Sequence, residues 1–87
     1  MPNQRATPGM RLRSRRMKLG FSLRDVQWES SRIAKELRNR SFTVTASRLH
    51  SYETREAMPS AYRLYTLARL YRCKLSEMLA WYGIPTL

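Results

Sequence analysis

Apolar residues recur along this chain at helical intervals, and no stretch alternates as a half-buried strand would. In "MRLRSRRMKLG", residues 10–20, Leu12, Arg16 and Leu19 fall on one face, and Gly20 reads as a C-terminal stop. A second helix follows. Ser22 is a good N-cap, and Asp25 three residues on gives a capping-box pattern. Val26, Ile33 and Leu37 keep an apolar stripe with Ser30 between them, as far as about Arg38. "NRSFTV" interrupts the periodicity and reads as a loop anchored by Phe42 and Val44.

The stretch "TASRLHSYE", ending near Thr54, is amphipathic in a different way. Leu49 and Tyr52 turn inward, while Ser47, Arg48, His50 and Ser51 turn out. "REAMP" is a connection, because Pro59 disfavours helix at Met58. Ser60 caps a fourth helix with Leu64, Leu67, Ala68 and Tyr71 on one stripe. After Cys73, Leu75, Met78, Leu79 and Tyr82 repeat it, and Gly83 and Pro85 end it. Five helices with short connections place the chain in the all-α class. Pro2, Pro8 and Gly9 make residues 1–9 a flexible arm, residues 10–84 the domain, and 85–87 a tail.

Charge sharpens the reading. The 87 residues carry 17 Lys and Arg against 6 Asp and Glu, a net charge of +11. Solubility asks for a magnitude of only about 2–8 in a small domain, so the excess points to a polyanionic partner. The one cysteine excludes an intramolecular disulfide, and no apolar run spans a membrane. The absence of an apolar leader at "MPNQRATPG" fits a cytoplasmic protein, nucleoid-associated when bound to DNA. A lone His50 gives no metal site, and no nucleophile–base arrangement or paired carboxylates mark an enzyme. No cofactor is expected.

A helix with an apolar back and a small, polar front, on a basic surface, has what entry into a DNA major groove needs. Three blocks carry a more specific signal: "LRSRRMKLGFSLRDV", "VTASRLHSYE" and "PSAYRLYTLARLYRCKLSEMLAWYG". In this order they resemble the lambda-repressor-like (Cro-repressor, XRE) helix-turn-helix family over roughly residues 10–83. The resemblance implies a compact five-helix domain that binds double-stranded DNA sequence-specifically and regulates transcription, often as a homodimer on a two-fold operator.

Carried over position by position, Thr45, Ala46, Ser47, Arg48 and Ser51 match the base-facing side of the recognition helix. Ser22, Leu23 and Arg24 match a helix N-terminus that meets a phosphate, and Thr54 and Arg55 match a loop against the DNA backbone. Arg16 and Glu53 match a structural ion pair. The chain departs from the family between Val26 and Ala46, an interval longer by about twelve residues. An extended helix 2 plus the loop accounts for it. If the loop lies aside, helix 3 stays open to a groove; alternatively, Arg38 and Arg40 add phosphate contacts beside the groove. If it covers helix 3, base reading fails.

Bland alternatives stand beside these. Ser47 and Ser51 also suit a plain polar face, and Arg11, Arg13 and Arg15 a solvated one. Cys73 suits a core position. Tyr62, Tyr65, Trp28 and Trp81 lie off or at the margin of the stripes, and an exposed cluster of them would mark a protein partner. Two rival functions follow: an antitoxin-like protein-interaction module on the same fold, and an RNA or single-strand binder that stacks bases on "YRLYTLARLYR".

Overall fold

A computed structural model describes residues 6–86, and those residues form five α-helices and no strand. Helix α1 spans Pro8–Lys18, α2 Leu23–Leu37, α3 Ala46–Thr54, α4 Ala61–Tyr71 and α5 Leu75–Trp81. A 3-10 turn at Arg40–Phe42 lies between α2 and α3. No helix is long and apolar enough to cross a membrane.

The starts of the helices follow from side-chain chemistry. The first backbone N–H groups of a helix lack intrahelical acceptors, and a hydroxyl one residue earlier supplies one. Thr7, Ser22, Thr45 and Ser60 each accept a hydrogen bond from the amide three residues on. At α2 the capping box is complete, since the Asp25 carboxylate also accepts from the Ser22 amide at 2.8 Å. At α1 the cap corrects the expected boundary. Thr7 caps and Pro8 opens the helix, where its fixed φ and missing N–H are no handicap. Residues 7–9 therefore belong to the folded domain; residues 1–5 of the expected arm lie outside the described residues.

The ends share one device. Phe21, Asn39, Cys73 and Ile84 each donate an amide to a carbonyl five residues back, at 2.9–3.1 Å. The residue before each is left-handed: Gly20 (φ 78°), Arg38 (φ 55°), Arg72 (φ 57°) and Gly83 (φ 79°). These are Schellman closures, two made with glycine and two with arginine.

The core gathers Leu12 of α1, Val26 of α2, Val44, Leu49 and Tyr52 of α3, Leu64, Leu67, Ala68 and Tyr71 of α4, and Met78 of α5. Three expected inward leucines fail to reach it. Leu19, Leu37 and Leu75 are exposed, and each stands at a helix end: Leu19 is the C-cap of α1, Leu37 the last residue of α2 and Leu75 the first of α5. The stripe of α2 runs instead through Val26, Ser30, Ile33 and Ala34.

Helix α1 crosses α3 closely. A Cβ added at Gly9 would sit 2.5 Å from the carbonyl oxygen of Glu53 and 2.7 Å from that of Tyr52. Beside this crossing, Arg16 donates from Nε and Nη2 to both Glu53 carboxylate oxygens at 2.7 and 2.9 Å, and from Nη1 to the Phe21 carbonyl at 2.8 Å. The Arg16–Glu53 pair is buried, and the hydrogen bond to Glu53 raises the Arg16 pKa. Arg15, expected in solvent, closes a second joint. Its guanidinium donates to the carbonyls of Tyr71 and Arg72 at 3.1 and 3.2 Å, placing a cation at the negative end of α4.

Two stability predictions follow from the crossing. Gly9→Ala should cost about 1–3 kcal/mol or more, because rigid backbone must move; an unchanged urea midpoint would contradict it. Glu53→Ala should cost about 3–5 kcal/mol by stranding a buried guanidinium, while the double replacement Arg16→Met, Glu53→Leu should cost less than either single change. Additive losses in the double variant would show that the pair is uncoupled.

Candidate nucleic-acid interface

The long connection between α2 and α3 decides whether α3 is reachable. Ser30 Oγ accepts from the Val44 amide at 2.8 Å and lies 3.1 Å from the Val44 carbonyl. Thr66 Oγ1 donates to the Phe42 carbonyl at 2.6 Å, and Arg63 Nε to the Thr43 carbonyl at 2.9 Å. Residues 40–44 are thus tied down between α2 and α4, with Val44 inserted into the core. The segment does not cover the outward side of α3, where Ser47, Arg48 and His50 remain exposed.

Helix α3 is set against α2 by one further bond. Gln27 Oε1 accepts from the Ala46 amide at 2.7 Å, satisfying a first-turn donor of α3 from the neighbouring helix. A depression runs between the two helices, lined by Arg24, Asp25, Gln27, Trp28, Ser31, Ala46 and Ser47. Trp28 is 69% exposed on its rim.

The expected base-facing set divides here. Ser47 and Arg48 are exposed. Thr45, Ala46 and Ser51 are half-buried, and Thr45 Oγ1 is already engaged by the Arg48 amide as the cap of α3. Of the expected phosphate-contacting set, Arg24, Arg38, Arg40 and Arg55 are exposed. Thr54 is the last residue of α3 rather than part of the loop, and its hydroxyl donates to the His50 carbonyl at 2.8 Å.

The start of α2 is less open than expected. Leu23 and Arg24 amides have no intrahelical acceptor. The Asp25 carboxylate, however, already complements the helix dipole beside them. The Arg24 side chain there is exposed.

Carboxylates are largely withdrawn from this region. Glu53 is buried against Arg16, Glu36 pairs with Arg69 at 2.9 Å, and Glu29 lies 3.6 Å from Arg32. Hydrogen bonds from the Ser22 backbone and hydroxyl region hold the Asp25 carboxyl below its ordinary range, and Arg69 does the same to Glu36. Both stay ionised at neutral pH but are locally compensated. Among the six acidic side chains only Glu56 and Glu77 lack such a partner, just beyond α3 and on α5. The arginines around α3 are not matched in this way.

The remaining candidates lie elsewhere. Tyr62 and Tyr65 are exposed and pack edge-on against Phe42, with ring centroids 5.2 and 5.5 Å away. Trp81 does not join them; it is half-buried against the core, facing α1. Cys73 sits half-buried at the core margin, where burial raises its thiol pKa. Burial likewise pushes the Tyr82 hydroxyl up to about 12. Among the described residues no three metal-ligating side chains gather.

Sequence reasoning missed Gln27, Arg15 and the anchoring role of Ser30. Each acts through a partner at least 14 residues away, which local spacing does not reveal.

Comparison with protein-family models, curated proteins and solved structures returns no match for this chain. A functional reading therefore rests on the residues and their placement.

Asp25 gives a pH prediction. Because its folded pKa is lowered, its stabilisation is present above the unfolded carboxylate range and is lost as pH falls through the lowered value. Asp25→Asn should flatten the acid limb of stability against pH and leave the alkaline limb unchanged. Identical acid limbs in chemical-denaturation series would contradict the capping role.

Proposed function

We propose that this chain is a sequence-specific double-stranded DNA-binding domain of the lambda-repressor-like kind, acting as a transcriptional regulator. The observation that carries the reading is the open face of α3. Its apolar side, Leu49 and Tyr52, is buried in the core, while Ser47, Arg48 and His50 stay exposed beside the N-terminal half of α2. Small side chains at the start of α3 let backbone approach base edges, and Arg48 reaches a guanine or a phosphate. Arg24, Arg38, Arg40 and Arg55 supply phosphate contacts around it. Binding is electrostatic and steric, with no covalent step.

Selection of bound duplexes from a random pool tests the reading directly. An enriched motif is expected, and a palindromic one would add a two-fold dimer. Arg48→Ala should weaken binding of the selected site about 5- to 100-fold and relax its selectivity, and Arg40→Ala should weaken all sequences alike. The logarithm of affinity should fall with the logarithm of salt, by about 0.9 per phosphate neutralised. Retention without enrichment would reduce the chain to a backbone binder, and preference for single strands would favour the RNA reading.

A second reading has one observation behind it. The exposed Tyr62 and Tyr65 of α4 pack on the half-buried Phe42 of the 3-10 turn, and this aromatic cluster suits a protein partner. Tyr62→Ala should damage that contact and leave duplex binding intact.

A further inference from the structure

Trp28 is the most exposed large apolar side chain among the described residues, at 69%. It stands off the buried stripe of α2, two residues past Val26 and four past Arg24. Side chains of a helix lean toward its N-terminus, which directs the indole back along α2 toward Arg24 and Asp25, and all three line one depression. It borders the depression that also holds Ala46 and Ser47, the first turn of α3. The bond from the Ala46 amide to Gln27, the residue before Trp28, ties this part of α2 to the first turn of α3. An indole this exposed contributes nothing to the core.

We propose that Trp28 is a DNA-contacting residue that seats α3. This rests on the duplex-binding reading above. The occupant is the sugar–phosphate backbone bordering the groove that α3 enters. Charge complementarity singles out that occupant: Arg24 lines the site, the exposed Arg48 follows Ser47 along α3, and the one carboxylate lining it, Asp25, is tied to the Ser22 amide. The ring offers an apolar face to deoxyribose, and the indole N–H, a donor only, suits a phosphate oxygen. The contact is sequence-independent. It sets how deeply and at what angle the first turn of α3 meets the bases.

The experiment uses intrinsic fluorescence. In Trp81→Phe the sole tryptophan is Trp28, excited selectively over the tyrosines; if that variant fails to fold, the difference between wild type and Trp28→Phe isolates the same signal. A fluorescein-labelled mixed-sequence 20-base-pair duplex is titrated while anisotropy reports binding. Trp28 emission is expected to change in step with anisotropy, with its acrylamide quenching falling severalfold at saturation. Trp28→Ala should weaken duplex binding about five- to a hundredfold at an unchanged helical signal. Duplex binding with unaltered emission and quenching, or with undiminished affinity in Trp28→Ala, overturns the proposal and leaves the function standing. No duplex binding by the wild type overturns both. A shift of Trp28 emission with protein concentration alone, before DNA is added, overturns it in favour of self-association.

Discussion

The buried pair of Arg16 and Glu53 sits where the first helix crosses the third, and the rest of the domain is arranged around that crossing. Two charges out of water are tolerated only when every polar atom finds a partner. Here both carboxylate oxygens and three guanidinium nitrogens do, the last through the Phe21 carbonyl. Gly9 lets the backbones approach, and the bidentate geometry leaves little freedom in how they cross. The pair holds the inner edge of α3 while its outer edge stays bare. A helix this short, nine residues, gains its rigidity from such joints rather than from its own hydrogen bonds.

The same economy governs charge. An excess of eleven positive charges would repel itself if spread evenly, and it would attract little if each cation had an anion beside it. Acids are instead matched on the α2–α4 side, where Glu36 meets Arg69, and in the interior at Glu53. Arg15 and Arg16 are likewise absorbed into joints between helices. What remains around α3 is an unbalanced set of arginines on a firm frame.

Much of this was legible in the sequence where the causes are local. Ser22 with Asp25, and Ser60, announce helix starts because a hydroxyl acts on an amide three residues away, whereas Thr45, expected at bases, proves to be such a cap. The stripe of α4 survives intact because that helix is packed along its length. Leu19, Leu37 and Leu75 misled because periodicity says which way a residue points, not whether a neighbour is there to meet it. The start of α1 was written in Thr7-Pro8, but Gly9 beside them reads as a breaker until its close contact with α3 is known. At the candidate interface, the polarity of α3 was plain from its spacing. The position of the connecting segment was not, since Ser30, Arg63 and Thr66 hold it from two other helices.

Two of the four Schellman closures place an arginine where the backbone favours glycine. Left-handed backbone costs an L-residue roughly 1 kcal/mol, and Arg38 and Arg72 both carry that strain. Each also sets a cation at the negative pole of its helix, which returns a few tenths of that cost. Glycine at either place would relax the chain and subtract a charge. The fold thus keeps a reserve of untapped stability at two surface points, and releasing it would diminish the long-range field that draws a polyanion in.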